Sequence, residues 1–321
     1  MGSLTNKRRG FFYILLGIAL VALMFGARGK TVGKKRVGFS QTETDGPWRI
    51  AETKSMQDEA RKRGYDLVLT NARGDTAQQI SDLENLIAQR VDVIFLAPRE
   101  ELGLGGPIRL AKEAGIPVIL IDRSVKGTAG QDYVTFIGSN FVEEGRRAGE
   151  WVVQQTGGKA GVIELLGTAG ASVAIDRHNG FAEAIKDSPD IKILASQDGN
   201  FTRSQGQKVM ENLIQAHGKN ITVVYAHNDE MALGAIQALK AAGMQPGKDV
   251  LVVSVDGERA ALEAIARGEM NVTVECNPRF GPVAFDTYEK HLRGEPLPAK
   301  IINEDRFFDT TNAAQFVNEA Y

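Results

Sequence analysis

The sequence predicts an α/β protein built from two similar doubly wound parallel-sheet domains. From residue 36 onward, short apolar runs rich in β-branched residues alternate with longer amphipathic segments. These runs form two consecutive sets of equal size and order. Continuously apolar strands between helices are typical of a parallel sheet covered on both faces. The length of 321 residues also suits two domains.

Each set of runs predicts a domain in which strands and helices alternate as βαβαβαβαβ. The first strands are predicted at residues 36–40, 66–70, 93–97, 117–121 and 133–137. The second are predicted at residues 161–166, 191–196, 222–226, 250–255 and 272–276. Helical patterns between them include residues 50–63, 76–89, 142–155, 206–217 and 230–242. Gly115 and Gly243 mark helix ends that precede a strand.

The chain is expected to cross between the two domains more than once. A first crossing falls near residues 138–140, and a helix predicted at 281–293 could pack back on the first domain. The run at 301–308 would then cross again. This predicts an N-terminal lobe of residues 35–138 and 277–302. It also predicts a C-terminal lobe of residues 139–276 and 303–321, joined to the first by a short multi-crossing hinge.

The first 29 residues have a different composition from the rest of the chain. Lys7, Arg8 and Arg9 precede an apolar run at residues 11–25, and small residues follow at positions 26, 27 and 29. A cationic stretch before about fifteen apolar residues is typical of a secretory signal peptide, and it is short for a bilayer span of ~20 residues. We predict a cleaved signal peptide at residues 1–29 and export to the periplasm. An uncut membrane anchor is the alternative.

The composition excludes several functional classes. With 38 Lys+Arg against 40 Asp+Glu, the chain has no basic excess with which to bind nucleic acid. The single cysteine, Cys276, excludes a disulfide framework and a multi-cysteine metal site, and four histidines argue against a histidine-based one. No nucleophile–histidine–acid set follows the strands. We therefore expect neither a cofactor nor enzymatic activity. We also predict that the protein is a monomer.

Polar and aromatic residues follow the predicted strands at the edge where open parallel sheets bind ligands. Hydroxyl groups both donate and accept hydrogen bonds, so carboxylates, amides and guanidinium groups can each pair with them. Aromatic rings can cover the C–H face of a sugar. A neutral polyhydroxyl ligand is therefore predicted. The residues at these positions include Trp48, Arg49, Asp122, Arg123, Arg177, Phe201, Asn228 and Asp256.

Several of these residues also have a structural alternative. Asp122 can form an ion pair with its neighbour, and Asn228 can cap the helix that follows it. Trp48 can belong to the core, and Asp256 can belong to a tight turn. Arg177 can lie on a solvated helix face. The functional interpretation therefore depends on the coincidence of their positions.

Several motifs resemble the pentose and hexose periplasmic binding proteins, the type I-fold solute receptors of ABC sugar importers. The motifs lie at residues 46–53, 121–123, 167–177, 201–204 and 225–232. Within the family, the likeness is strongest to the galactofuranose-binding members. The resemblance runs from about residue 35 to the C-terminus. It implies the type I fold, a monosaccharide ligand (galactofuranose or a related furanose or hexose), and an ABC permease in the inner membrane as partner.

The resemblance also implies which residues bind the sugar. It implies that the indole stacks on the sugar ring, that arginines donate to hydroxyls, that aspartates accept from them, and that a phenylalanine closes the apolar wall. The implied set is Glu43, Trp48, Arg49, Asp122, Arg123, Arg177, Phe201, Asn228, Asp256 and Asn277.

Some positions depart from the pattern of the ribose receptors. Trp48 and Arg49 replace a pair of aromatics, and Ala97 replaces a strand-end amide. Val255 replaces an aromatic, and Cys276 replaces a late glutamine. One stacking surface is lost and one cation is gained. These departures disfavour ribose and favour a larger or more hydroxylated furanose.

Two other functions share this two-lobed core. A sugar receptor for chemotaxis or signalling would use the same closed surface, so the sequence does not separate it from a transport component. A sugar-responsive transcription regulator would need an N-terminal helix-turn-helix module. Only about 35 residues precede the first strand, and half of them form the apolar run.

Overall fold

The computed structural model describes residues 35–321, and the predicted signal peptide at residues 1–29 lies outside them. In the first part of the chain the elements are β1 (Arg36–Gln41), α1 (Pro47–Arg63), β2 (Asp66–Asn71), α2 (Thr76–Ala88), β3 (Val93–Leu96), α3 (Gly105–Glu113), β4 (Val118–Ile121) and β5 (Phe136–Gly138). They continue with α4 (Phe141–Thr156), β6 (Lys159–Leu166), α5 (Ser172–Ile185), β7 (Asp190–Asp198), α6 (Arg203–His217), β8 (Val223–Ala226), α7 (Asp229–Ala241), β9 (Leu251–Asp256), α8 (Arg259–Ala266) and β10 (Val272–Glu275). The last elements are α9 (Gly281–Leu292), β11 (Lys300–Ile302), β12 (Phe307–Asp309) and α10 (Ala313–Phe316).

These elements form two six-stranded sheets, one in each domain. The strand order is β2-β1-β3-β4-β5-β11 in the first sheet and β7-β6-β8-β9-β10-β12 in the second. The predicted pair of doubly wound α/β domains is therefore confirmed. Strands such as β3, β4 and β8 are buried at every residue, as expected for parallel strands between two helical layers.

The second sheet differs from the all-parallel prediction at its edge, where β12 pairs antiparallel with β10. Strand β11 runs parallel to β5, so it ends at the same edge as the other strands of its sheet. Only residues 303–306 separate β11 from β12. Strand β12 therefore starts beside the end of β10, with Phe307 opposite Val274, and runs back along it.

The first domain has no helix between β4 and β5, contrary to the predicted alternation. Residues 122–135 form turns instead, in which Thr128 N donates to Asp132 Oδ2 at 2.8 Å and Gly130 takes a φ of 78°. Turn-forming glycine and aspartate compete with helix in so short a segment. As a result β5 begins at Phe136, three residues later than predicted.

The chain passes between the two domains three times. The crossings are at residues 138–141, 275–281 and 302–307, between the elements of one sheet and those of the other. After the second crossing, α9 packs on α1 of the first domain. The predicted lobe boundaries fall within these segments. The exact residues at which each lobe begins and ends stay predictions.

The start of α1 places two side chains at the carboxyl edge of the first sheet. Pro47 occupies the first turn, where its missing N–H costs nothing, and Gly64 ends the helix in the left-handed conformation. Trp48 and Arg49 therefore lie in the first turn, directly beyond β1. Within residues 35–321, no helix is long and apolar enough to cross a bilayer.

Candidate functional site

A cavity of about 370 Å³ lies between the carboxyl edges of the two sheets. Its volume is at the lower end of the range for small-molecule sites, about 300–1,000 Å³. Both domains contribute to its wall. Nine of the predicted site residues line it: Glu43, Trp48, Arg49, Asp122, Arg123, Arg177, Phe201, Asn228 and Asp256.

Trp48 forms part of the cavity wall and is only 8% exposed. Its indole Nε1 donates to the carbonyl oxygen of Cys276 at 2.8 Å, so a residue of the second crossing fixes the ring plane. The Arg49 guanidinium carbon lies 4.7 Å from the indole centroid, and Phe280 packs at 6.0 Å. The indole is thus a rigid surface held by both the hinge and the site.

Arg49 is buried among carboxylates of the first domain. Its Nη2 donates to Asp122 Oδ2 at 2.7 Å and its Nη1 donates to Glu52 Oε2 at 2.8 Å. Glu43 Oε1 lies 3.8 Å from Nε. Burial alone would lower the pKa of Arg49, but the nearby carboxylates outweigh it and the pKa is raised. Burial raises the pKa of Glu52 to about 7, against the pull of Arg49.

Arg123 lies beside this network with fewer partners. Its Nη1 donates to the Arg99 carbonyl oxygen at 3.1 Å, and its guanidinium carbon lies 5.3 Å from the Phe201 ring centroid. Burial and the neighbouring Arg49 lower the pKa of Arg123 to about 10, so it stays charged at neutral pH. Among residues 35–321, Nε has no hydrogen-bond partner. That buried donor suits an acceptor on a ligand.

Arg177 is the matching cation of the second domain. It is 2% exposed, which rules out the solvated helix face. Its Nε donates to Glu144 Oε2 at 2.7 Å, its Nη1 donates to the His227 carbonyl oxygen, and its Nη2 lies 3.4 Å from Asp256 Oδ1. Burial raises the pKa of Asp256 although Arg177 opposes the shift. A raised pKa makes protonation of a carboxyl easier, and in the protonated form a carboxyl both donates to and accepts from a hydroxyl.

Asn228 has the structural role that the sequence left open, and it also lines the cavity. Its Oδ1 accepts from Met231 N at 3.0 Å and caps α7, while its Nδ2 donates to the Phe201 carbonyl oxygen at 3.1 Å. The amide keeps one N–H and one lone pair for a ligand. Phe201 needs a glycine opposite it, because a Cβ at Gly167 would lie 1.9 Å from its Cζ.

Backbone strain is concentrated at the cavity. Positive φ values occur at four wall residues other than glycine, namely 65° at Asp122, 52° at Asn200, 58° at Phe201 and 131° at Asp256. Such conformations cost about 1–3 kcal/mol each and persist where surrounding contacts enforce them, often at binding sites. All four residues line the space between the domains.

Asn277 is the one predicted site residue that does not line the cavity. Its Oδ1 accepts from Arg279 N at 3.0 Å, and its backbone N donates to Asp305 Oδ1 at 3.2 Å. The structure therefore places it in the second crossing, where it joins two hinge segments.

Three residues of the site, Glu144, Arg203 and Glu258, were missed by the sequence interpretation. Glu144 reaches Arg177 from another helix, and no local pattern signals that contact. Arg203, Glu230 and Glu258 line the cavity. Glu230 was already part of the strand-end run at residues 228–230. Arg203 and Glu258 lie two residues beyond Phe201 and Asp256, so extending those strand-end windows would have found them. In the part of the chain that the structure describes, no cluster of three or more His, Cys, Asp or Glu could hold a metal ion.

Comparisons with known proteins agree with this geometry. A profile of the periplasmic binding protein domain matches residues 37–296. The galactofuranose-binding protein YtfQ of Escherichia coli (strain K12) is 46% identical over 268 residues, which cover 83% of this chain and 84% of the relative.

Two solved structures are similar over almost the whole described chain. The periplasmic binding component of the arabinose ABC transporter from Shewanella sp. ANA-3, bound to α- and β-L-arabinofuranose, has a TM-score of 0.86 and 41% identity, covering 89% of this chain and 95% of that one. A Mycobacterium smegmatis structure in complex with β-D-fucofuranose has a TM-score of 0.85 and 42% identity, covering 88% and 94%. The chain is therefore a member of the periplasmic binding protein family, with the type I fold that its motifs predicted.

Proposed function

We propose that this protein binds an unphosphorylated monosaccharide, galactofuranose or a related furanose, between its two lobes and delivers it to an ABC permease. The observation that carries the proposal is a monosaccharide-sized cavity that has aromatic rings on its wall and buried hydrogen-bonding groups from both domains. Relatives bind galactofuranose, arabinofuranose or fucofuranose according to their names.

The charges of the cavity support a neutral ligand. Its wall contains the acids Glu43, Asp45, Asp122, Glu230, Asp256 and Glu258 and the bases Arg49, Arg123, Arg177 and Arg203. Each arginine lies within 4.0 Å of at least one carboxylate. A phosphorylated sugar would need a surplus of cations, and its dianion would face this acidic wall unpaired.

The rims of the cavity already meet across the two domains. Glu101 N donates to the Gly170 carbonyl oxygen at 3.0 Å, and Ser124 N donates to Ser172 Oγ at 2.9 Å. A sugar that contacts both domains favours the arrangement in which these rims touch, because a ligand shifts an equilibrium by its differential affinity. The permease would then recognise the closed form.

The remaining parts of the proposal concern the context of the protein. The chain would be exported by a cleaved signal peptide, act in the periplasm as a monomer, and bind the sugar without chemical change. Paired arginines and carboxylates in the cavity are consistent with holding hydroxyls, and the sequence shows no nucleophile–histidine–acid set at the strand ends.

Isothermal titration calorimetry of the mature protein tests the proposal. We expect saturable binding of D-galactose, L-arabinose or D-fucose, with weaker binding of D-ribose and none of galactose 6-phosphate. A thermal-shift series with the same sugars should rank them in the same order, since ligand binding to the folded state raises its stability. No binding of any neutral monosaccharide would refute the function.

A further inference from the structure

One end of the cavity, in the second domain, holds a carboxyl group with no partner. Glu258 lines the cavity and is 1% exposed. Neither of its carboxyl oxygens has a hydrogen-bond partner within residues 35–321. Its backbone N donates to Asp229 Oδ2 at 2.7 Å, which fixes the main chain and leaves the carboxyl unused. Buried polar atoms are normally paired, so this one calls for an explanation.

A second unused group lies on the same part of the wall. Arg203, at the start of α6, pairs with Glu230, and both residues line the cavity. The Nε of Arg203 is buried and has no hydrogen-bond partner among the described residues. Glu258 lines the same cavity, and the charges of Arg203 and Glu230 both act on the pKa of its carboxyl. We call Glu258 and Arg203, with its counter-ion Glu230, the outer subsite.

The outer subsite makes no hydrogen bond with the side chains that would hold the sugar ring, although Asp256 lies near enough to Glu258 to raise its pKa. Trp48, Arg49 and Asp122 belong to the first domain and form their own network. Arg177 is engaged with Glu144 and Asp256. None of these side chains donates to or accepts from Glu258 or the Nε of Arg203.

The raised pKa of Glu258 suits a hydroxyl ligand. Burial raises its pKa, and the neighbouring acids Asp229, Asp256 and Glu230 raise it further, while Arg203 opposes them. A protonated carboxyl offers one donor and one acceptor, and the arginine Nε offers a second donor. Together these groups offer the donors and the acceptor that two hydroxyls on adjacent carbons can use.

We propose that the outer subsite binds the exocyclic diol of a hexofuranose and so makes the protein selective for hexofuranoses over pentofuranoses. In galactofuranose, the ring carries a two-carbon chain with two hydroxyls. L-Arabinofuranose carries a single hydroxymethyl group at that position, and D-fucofuranose lacks the outer hydroxyl. This inference rests on the proposed function and adds the identity of the ligand's side chain.

Calorimetric titration of three sugars into Glu258→Ala tests the inference. We expect the dissociation constant for D-galactose to rise at least tenfold and that for L-arabinose to change less than threefold. The value for D-fucose, which keeps one of the two hydroxyls, should rise less than that for D-galactose. Comparing variant with wild type for the same sugar cancels the fraction of furanose in solution. Glu258→Gln keeps a donor and an acceptor, so it should retain galactose affinity within about threefold.

Two further variants keep the test decisive. Arg203→Met should show the same galactose-specific loss of affinity. It provides the test of the outer subsite if Glu258→Ala does not fold. Glu263→Ala, on the exposed face of α8, is the matched control and should bind all three sugars as the wild type does.

The outcomes separate the two proposals. Equal losses for all three sugars, or no loss for galactose, would overturn the outer subsite while leaving the sugar-binding function in place. A wild type that binds arabinose but not galactose would do the same. A wild type that binds none of these sugars would overturn the proposed function itself.

Discussion

The Asp122→Asn substitution tests how the buried charges of the site serve both folding and binding. Asp122 accepts from Arg49 at 2.7 Å and lies 3.5 Å from Arg123, and its side chain is 5% exposed. Breaking a buried ion pair costs about 3–5 kcal/mol. Because Glu52 and Glu43 remain beside Arg49, we expect the lower end, about 3 kcal/mol of unfolding free energy.

The same substitution should weaken sugar binding. A hydrogen bond from a hydroxyl to a charged acceptor contributes about 1.5–3 kcal/mol, which corresponds to roughly 10- to 150-fold in the dissociation constant. Urea unfolding measures the stability, and calorimetry at a temperature where the variant is folded measures the affinity. Asp66→Asn is the matched control, because its pair with Arg36 is 3.1 Å long but half exposed. That control should lose about 1 kcal/mol or less.

Two results would refute this reasoning. If Asp122→Asn loses stability but its affinity stays within twofold of the wild type, Asp122 is only a counter-ion for the two arginines. If Asp122→Asn loses no more unfolding free energy than Asp66→Asn, burial does not increase the contribution of the ion pair between Asp122 and Arg49 to stability.

Three further predictions address the aromatic wall, the close packing behind it and the pH dependence. Trp48→Ala should raise the dissociation constant for the preferred sugar more than tenfold in calorimetry; an unchanged value would mean that the indole is only structural. Gly167→Ala should displace Phe201, cost about 1–3 kcal/mol in urea unfolding and weaken binding. Gly106→Ala, where nothing lies near the added carbon, should do neither, and equal effects of the two would contradict the packing argument. Burial raises the pKa of Asp305 to about 7, so the native state binds more protons than the unfolded chain above pH 4. Stability should therefore fall as pH rises from about 5 to about 7.5 in denaturation series, Asp305→Asn should flatten that slope, and a stability that rises with pH would show the sign to be wrong.

The strands were predictable from the sequence because each parallel strand is buried on both faces. The run at 93–97 has no polar residue, and the structure places β3 at Val93–Leu96. The antiparallel direction of β12 was not predictable, since it depends on where the end of β11 and the short third crossing place the chain in space. The absence of a helix between β4 and β5 was not predicted either, because the prediction continued the alternation of strands and helices across glycine-containing turns.

The site was predictable as far as residues follow strand ends, because parallel strands share one carboxyl edge. Nine of the predicted side chains line one cavity for that reason. The pairing among them was not predictable. Glu144 lies 33 residues before Arg177, and only the packing of α4 on α5 brings them together. That packing needs a glycine, since a Cβ at Gly145 would lie 2.1 Å from the Arg177 carbonyl oxygen.

The three passages of the chain between its halves have a consequence for biosynthesis. Both sheets receive their last strand from the final 22 residues, through Lys300–Ile302 and Phe307–Asp309. Neither sheet can be completed before residues 300–309 have been synthesised, although domains usually fold in order as they emerge from the ribosome. A polypeptide that completes its sheets this late stays incompletely folded for longer. A nonsense mutation near residue 299 would leave both sheets, rather than one, without their last strand.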